Sequence, residues 1–386
     1  MNKLCQELSE TWGGATVIMS PQNIYPTDKL FSFAEKTRQV GGKVLFDPQL
    51  YYPLNNQKNL QKHDYWPQSD FTYLESRDLE ELLSNLADIN AKLFSDAFIL
   101  PSGIINRIDE RWGKYQGIIA SLSRKMAPKR RLIQTVALGK DVLLDDFQVE
   151  AIIHYAERWD IDGVYIVSER PEPYYLIDQP IWMANLMSLV AGIKRTGKEV
   201  IVGYANQQML PLALAKCDAI ASGNYQNVRW FKSKHRQTTK SDGPSRRSIW
   251  YYYPLALTEF KVTYLDVAHR VNILMTMVTP KEMDNGSSSV LFQGATPSST
   301  NYKEGDSFRH YLHCLRFQCE SASQPTYAAT RNFLFAELET AARILDYLRG
   351  KGIKGQDRDF SEICDVNEAA IQTFDQEFGF AMSQEW

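Results

Sequence analysis

From Thr16 to Ala221 the chain alternates short, β-branched apolar runs with amphipathic stretches about the length of a helix, and this alternation restricts the fold more than any other feature. Apolar runs that are continuous rather than alternating belong to strands buried on both faces. Strands separated by helices pair in parallel, because the crossover returns each strand in the same direction. The runs read as strands are Thr16 to Met19, Lys43 to Phe46, Ala97 to Leu100, Leu132 to Val136, Gly163 to Val167, Val200 to Gly203, Ala219 to Ala221 and Val290 to Phe292. Helices are predicted for Asp28 to Val40, Leu79 to Leu93, Asp145 to Arg158 and Ile181 to Arg195, whose starts carry the acidic residues that helix N-termini prefer. Ile161-Asp-Gly-Val and Lys216-Cys-Asp-Ala stand just before strands, as short polar connections do.

This pattern predicts an α/β fold, a (β/α)8 TIM-type barrel with an inserted crossover and a helical C-terminal extension. A barrel of about 250 residues with additions fits 386 residues as one unit. An open doubly wound sheet is the competing arrangement, and it lacks its usual mark: no G-x-G-x-x-G turn follows the first strand. The eighth strand requires the segment from Pro244 to Ser289, with its helical run from Tyr264 to Met277, to be a decorated crossover. Residues 1–305 form the predicted barrel and 306–386 the extension, with helices in FRHYLHCLRFQ, Tyr327 to Arg349 and Asn367 to Phe378.

Composition narrows the setting. An apolar fraction of 44% and a charged fraction of 23% are those of an ordinary globular chain. No run approaches the roughly 18 apolar residues of a membrane span, and the start MNKLCQELSETWGG lacks the order of a secretory signal, so a cytoplasmic protein without membrane contact is expected. The five cysteines, at 5, 217, 314, 319 and 364, are odd in number and scattered, which favours reduced thiols over a disulfide framework. A net charge of −3 gives no global attraction to nucleic acid; any such binding must come from a local patch.

In a (β/α) barrel the ligand lies at the C-terminal ends of the strands, so the polar residues that follow each run are the candidates. They are Asp47, Gln49 and Tyr52 in LFDPQLYYP; Ser102 with Asn106; Gln134 at the end of the fourth run; Glu169 and Arg170 in VYIVSERPEPYY; Tyr204 and Asn206 in VGYANQ; Ser222, Asn224, Asn227 and Arg229 in IASGNYQNVRWF; and Gln293 and Thr296. Asp47 and Glu169 are the carboxylates that fall directly at strand ends. A pair across a barrel mouth can share acid, base or nucleophile roles, although each could equally cap a helix or pair with Arg107, Arg170 or Arg229. Arg229 could fork onto a phosphate or carboxylate, or bridge to Glu169.

The segment from Arg229 to Tyr253, RWFKSKHRQTTKSDGPSRRSIWYYY, holds seven Lys/Arg, one acidic residue and aromatics at both ends. Cations neutralise phosphates and rings stack on bases, so Lys232, Lys234, Arg236, Arg246 and Arg247 are candidate nucleic-acid contacts; a solvated loop is the plainer alternative. The other basic run, RKMAPKRR from Arg124 to Arg131, precedes a strand and belongs on the opposite face. His310, His313, Cys314 and Cys319 have helical spacing but no C-x-x-C or H-E-x-x-H partner, so no metal site is assigned. No P-loop, nucleophile elbow or kinase motif is present, and no cofactor is implied.

The order of LFDPQLYYP, ASGNYQNVRWF and FRHYLHCLRFQ along the chain resembles that of the tRNA-guanine transglycosylase superfamily, including its DNA-modifying relatives. The resemblance implies a barrel that exchanges a base in nucleic acid, with a carboxylate after an early strand and a nucleophilic aspartate after a late one. Asp47 stands in the early place. The late one is unmatched: Asp218 precedes its strand, Ser222-Gly-Asn-Tyr occupies the position, and the family's cysteine-rich zinc site is absent. The resemblance thus implies either a nucleophile moved, for instance to Glu169, or an exchange reaction lost; the expected function is base exchange or glycosidic-bond chemistry on a nucleobase or nucleotide in nucleic acid, with Asp47 and Glu169 as acid, base or nucleophile. The alternatives are a catalytically silent barrel acting as a binding or scaffold subunit beside a protein partner, and a small-molecule lyase or isomerase.

Overall fold

The computed structural model describes residues 2–52, 59–67, 73, 76–232 and 248–386. Strands β1 (Thr16–Met19) and β2 (Lys43–Phe46) pair in parallel, and β3 (Phe98–Leu100), β4 (Leu132–Leu138), β5 (Gly163–Ser168), β6 (Glu199–Val202) and β7 (Ala219–Ile220) form a parallel sheet in sequential order. Helices alternate with them: α1 (Asn2–Thr11), α2 (Thr27–Gln39), α3 (Ser76–Leu93), α4 (Glu110–Met126), α5 (Asp146–Arg158) and α6 (Pro180–Arg195). A hairpin of β8 (Trp250–Tyr253) and β9 (Thr258–Lys261) follows, then α7 (Val262–Arg270) and the terminal helices α8 (Glu304–Ala322), α9 (Tyr327–Gly350) and α10 (Ile363–Gln384). The chain is thus an α/β protein of alternating strands and helices around a parallel sheet, with helices at its C-terminal end. No helix among the described residues is long and apolar enough to cross a membrane.

One device recurs at the start of the sheet. Asp96, Asp162 and Asp218 precede β3, β5 and β7, and each accepts the N–H of the preceding strand, from Val44 at 2.8 Å, Leu132 at 2.8 Å and Val200 at 2.7 Å. Each returns its own N–H to the carbonyl of that same residue. The clasp satisfies an end-of-strand donor that would otherwise be orphaned, and through Asp96 it ties the separate β1–β2 pair to the residues just before β3. Ser-Asp-Ala, Ile-Asp-Gly and Cys-Asp-Ala are its sequence traces. The basic run expected at this end lies here: Arg124 reaches Asp160 and Asp162, and Arg131 reaches Glu199.

The two faces of the sheet carry separate apolar clusters. Val44, Phe46, Phe98, Leu100, Leu132, Val136, Val164, Ile166 and Val200 pack against the helices. The alternate residues Leu45, Ile99, Ile133, Ala137, Tyr165, Val167 and Ile201 form a second cluster, closed by Tyr51 and Phe231. Gly203 lies where Tyr165 crosses this face; a Cβ there would collide with the Tyr165 hydroxyl. Helix α6 is apolar nearly all round, with a run from Trp182 to Ile193 buried, because α10 covers the side turned away from the sheet. The terminal helices therefore shield apolar surface that the sheet alone leaves open.

The eighth strand expected at Val290 to Phe292 is instead a 3-10 turn, Ser289–Phe292, and Gln293 after it is exposed. Among the described residues the turn joins no sheet, and Phe292 packs its ring edge-on against Tyr251 of β8. The strand that does follow β7 is the Trp250–Tyr253 half of the antiparallel hairpin.

Candidate active site

Asp47 and Glu169 are each the first residue beyond a strand, and the N–H of each prolongs a ladder: Asp47 to Met19 at 3.2 Å, Glu169 to Leu138 at 2.9 Å. Both carboxylates are thereby aimed from the C-terminal end of the sheet. The Asp47 side chain is buried; Oδ1 accepts the Gln49 N–H at 2.9 Å and Oδ2 the Tyr51 hydroxyl at 2.8 Å. Glu169 Oε1 accepts the Tyr52 hydroxyl at 2.9 Å. Two adjacent tyrosines thus hold carboxylates from the ends of β2 and β5. Tyr52 stacks on Phe231 (6.3 Å, 11°), and Tyr51 meets the same ring edge-on (5.1 Å), as Tyr204 does at a tilt (5.1 Å).

Gln49 ties this cluster to two further strand ends. Its Oε1 accepts from the Ser20 hydroxyl at 3.0 Å and the Gln22 N–H at 3.1 Å, while its Nε2 donates to the Tyr204 hydroxyl at 3.0 Å. Gln49 and Tyr204 both have left-handed backbone, φ 56° and 54°. That conformation costs about 1 kcal/mol or more in residues other than glycine and persists where surrounding contacts over-determine it.

A second polar centre lies beside the first. Glu259 on β9 is buried and accepts from Arg229 (3.1 Å), Arg358 (2.7 Å) and the Tyr175 hydroxyl (3.2 Å). Burial would raise its pKa, but the Arg358 and Arg229 charges outweigh that and hold it below the usual 4.5. Arg229 also donates to the carbonyls of Gly223 and Asn224 and lies 3.4 Å from the Tyr311 ring centroid. Its ion-pair partner is therefore Glu259, not Glu169, and each of its three guanidinium nitrogens donates to a group of the protein itself. Arg170 is buried as well, bonded to the carbonyls of Arg229 (3.1 Å) and Tyr174 (3.4 Å), with no carboxylate partner among the described residues.

The remaining sequence candidates divide clearly. Gln134 lies within β4, not at its end, because the strand runs on to Leu138; its side chain faces the helices and donates to Gln116 of α4 at 2.7 Å. Asn206 is a buried helix cap, accepting the Gln208 N–H and donating to the Tyr175 carbonyl. Ser222 is half-buried past β7, Asn227 is exposed, and Ser102 is buried and bonded to the Gly103 carbonyl. Lys232 sits over Trp230, 3.1 Å from the ring centroid. Lys234, Arg236, Arg246 and Arg247 lie outside the described residues. His310 is buried, donates to the Tyr252 carbonyl at 2.7 Å and stacks on Tyr251; burial lowers its pKa to about 4. Among the described residues no group of three or more His, Cys, Asp or Glu could hold a metal ion.

Sequence reasoning missed Tyr51, Phe231, Tyr175, Glu259 and Arg358. Glu259 left the one usable trace, a carboxylate inside the apolar run YYYPLALTEF. No family model, curated protein or solved structure matches the chain.

Proposed function

We propose that the chain is an enzyme acting on a nucleobase or nucleotide in nucleic acid, at the glycosidic bond, with Asp47 and Glu169 as its acid, base or nucleophile pair. The observation that carries this reading is the pairing of Tyr51 with Asp47 and Tyr52 with Glu169 over one Phe231 ring. Glycosidic cleavage passes through a transition state with positive charge on the sugar, which two carboxylates stabilise from either side. Tyrosine hydroxyls that donate to them fix their direction, and the aromatic walls exclude water, which strengthens each charge.

The same contacts support a closed (β/α) barrel with its site at the mouth. In a flat sheet the ends of β2 and β6 lie four strand spacings, about 19 Å, apart, farther than glutamine and tyrosine side chains reach together. Gln49 and Tyr204 nevertheless bond directly, as curling of the sheet allows, and an apolar cluster fills the face opposite the helices as a barrel interior does.

Incubation with single-stranded DNA, tRNA and duplex DNA, reading base release or exchange of a labelled base, tests the reading. Wild type is expected to react and Asp47→Asn and Glu169→Gln to lose the reaction; unchanged turnover in both variants sinks it. Burial of Asp47, with both oxygens satisfied by its own neighbours, favours a second reading in which the face binds without turnover. Salt-sensitive binding with no base released by any substrate points to that one.

A further inference from the structure

The carboxylate cluster has an open half and a sealed half. Tyr52, Glu169 and Tyr204 are half-buried, whereas Asp47, Tyr51 and Phe231 are 3%, 1% and 2% exposed. A reacting carboxylate has to meet its substrate, and Asp47 is shut off from solvent as the molecule stands. The ring of Phe231 lies where the two halves join: it packs against Tyr51, which donates to Asp47, and against Tyr52, which donates to Glu169.

That ring fills a slot of definite shape. Tyr51 meets it edge-on, Tyr204 at a tilt of 59° and Tyr52 nearly parallel at 11°. Walls of this kind hold a flat ring by its faces and edges and ask for no particular hydrogen bond. A phenylalanine side chain has no polar atom, so withdrawing it breaks no hydrogen bond of its own. What is lost is apolar burial, which another flat ring entering the slot restores. The chain before the ring is fixed: Arg229 donates to Glu259 and to the carbonyls of Gly223 and Asn224, and its own carbonyl accepts from Arg170 at 3.1 Å. On the other side Lys232 is half-buried and reaches back over the Trp230 ring. With Arg229 anchored, movement at Phe231 is confined to the ring and the backbone beside it and leaves the sheet in place.

We propose that Phe231 is a gate over the carboxylate pair: in the closed state its ring occupies the slot between Tyr51, Tyr52 and Tyr204, and it leaves that slot to admit a flat ring of the substrate beside Asp47. This rests on the nucleobase reading above and deepens it, since a base is the part of such a substrate that can replace a phenyl ring among three tyrosines. A gate of this kind keeps water from Asp47 until the substrate itself takes the place of the ring.

Modification of carboxylates in the full chain by a water-soluble carbodiimide with glycinamide, mapped by peptide mass over a urea series, tests it. Glu259 supplies the control, buried to the same degree as Asp47 but locked by Arg229 and Arg358. Asp47 is expected to react through local opening in buffer without urea, about tenfold or more faster than Glu259 and at a rate that stays flat up to the unfolding transition, whereas Glu259 reacts only as the whole molecule unfolds. Phe231→Ala should raise the Asp47 rate further and leave that of Glu259 unchanged. A common rate for both carboxylates that rises with urea overturns the gate, and so does a folded Phe231→Ala variant whose Asp47 reacts no faster than in wild type. Local opening at Asp47 with no base released from any nucleic acid refutes only the glycosidic reading. Base release with Asp47 sealed until unfolding refutes the gate and leaves the reaction to Glu169.

Discussion

The carboxylates at the C-terminal end of the sheet are held in two opposite ways. Asp47 and Glu169 accept from tyrosine hydroxyls, whereas Glu259 is clamped by two guanidinium groups and a tyrosine. A tyrosine hydroxyl directs a carboxylate without itself cancelling the charge. One neutralised by Arg229 and Arg358 has spent that charge on joining β9, the segment after β7 and the segment before α10. Under the proposed function the tyrosine-bound pair carries the chemistry and the arginine-bound carboxylate the architecture; burial alone does not divide them, since Asp47 and Glu259 are 3% and 2% exposed.

The widest split is expected in turnover. Asp47→Asn and Glu169→Gln should each lower base release by about 10² to 10⁴-fold, the usual contribution of a general acid or base, while thermal midpoints stay near wild type. Glu259→Gln should do the reverse. It leaves the buried Arg229 and the half-buried Arg358 without their anion, so a loss of about 3–5 kcal/mol is expected from denaturant unfolding. If Glu259→Gln is stable and inactive, the division between the two centres is wrong.

Acid sharpens the same contrast. The folded pKa of Glu259 is depressed, so its stabilisation is complete above about pH 4.5 and is lost as pH falls through the lower folded value. His310, on α8 behind β8, is a buried neutral base with a folded pKa of about 4 against 6.5 unfolded. The unfolded chain binds the extra proton, so stability drops as pH falls from about 6.5 and levels off near 4, by about 3 kcal/mol in all. Unfolding curves between pH 7 and 4 should carry this slope, and His310→Asn should flatten it. A slope that persists in the variant assigns it to another group.

What the amino-acid sequence discloses follows from where the information is local. The first seven strands are readable because each is a short, continuous apolar run, and the Ser-Asp-Ala, Ile-Asp-Gly and Cys-Asp-Ala traces mark the starts of three of them. Helix α4 was not foreseen; its apolar residues are interleaved with Gly113 and Gly117, which weaken the helical signal but let Tyr155 and Trp159 pack closely. Asp47 and Glu169 are readable as residues next to strands. Their tyrosine partners are not, since hydrogen bonds from Tyr52 to Glu169 and from Gln49 to Tyr204 span more than a hundred residues. Arg229 was readable as a forked cation, but its partner lies on a hairpin that no periodicity announced.

The smallest expected effect bears most directly on how the tyrosine-bound centre works. Tyr52→Phe removes one hydroxyl from Glu169 and keeps the ring on Phe231, so stability should change by about 0.5–1.5 kcal/mol, the worth of a single hydrogen bond. If that hydroxyl orients Glu169 for reaction, base release should fall by more than the roughly tenfold that such an energy implies, with substrate affinity unchanged, because misdirection acts on the transition state alone. A fall in affinity with kcat preserved would instead make Tyr52 a contact to substrate, and would move Glu169 from the reacting centre into the wall that binds it.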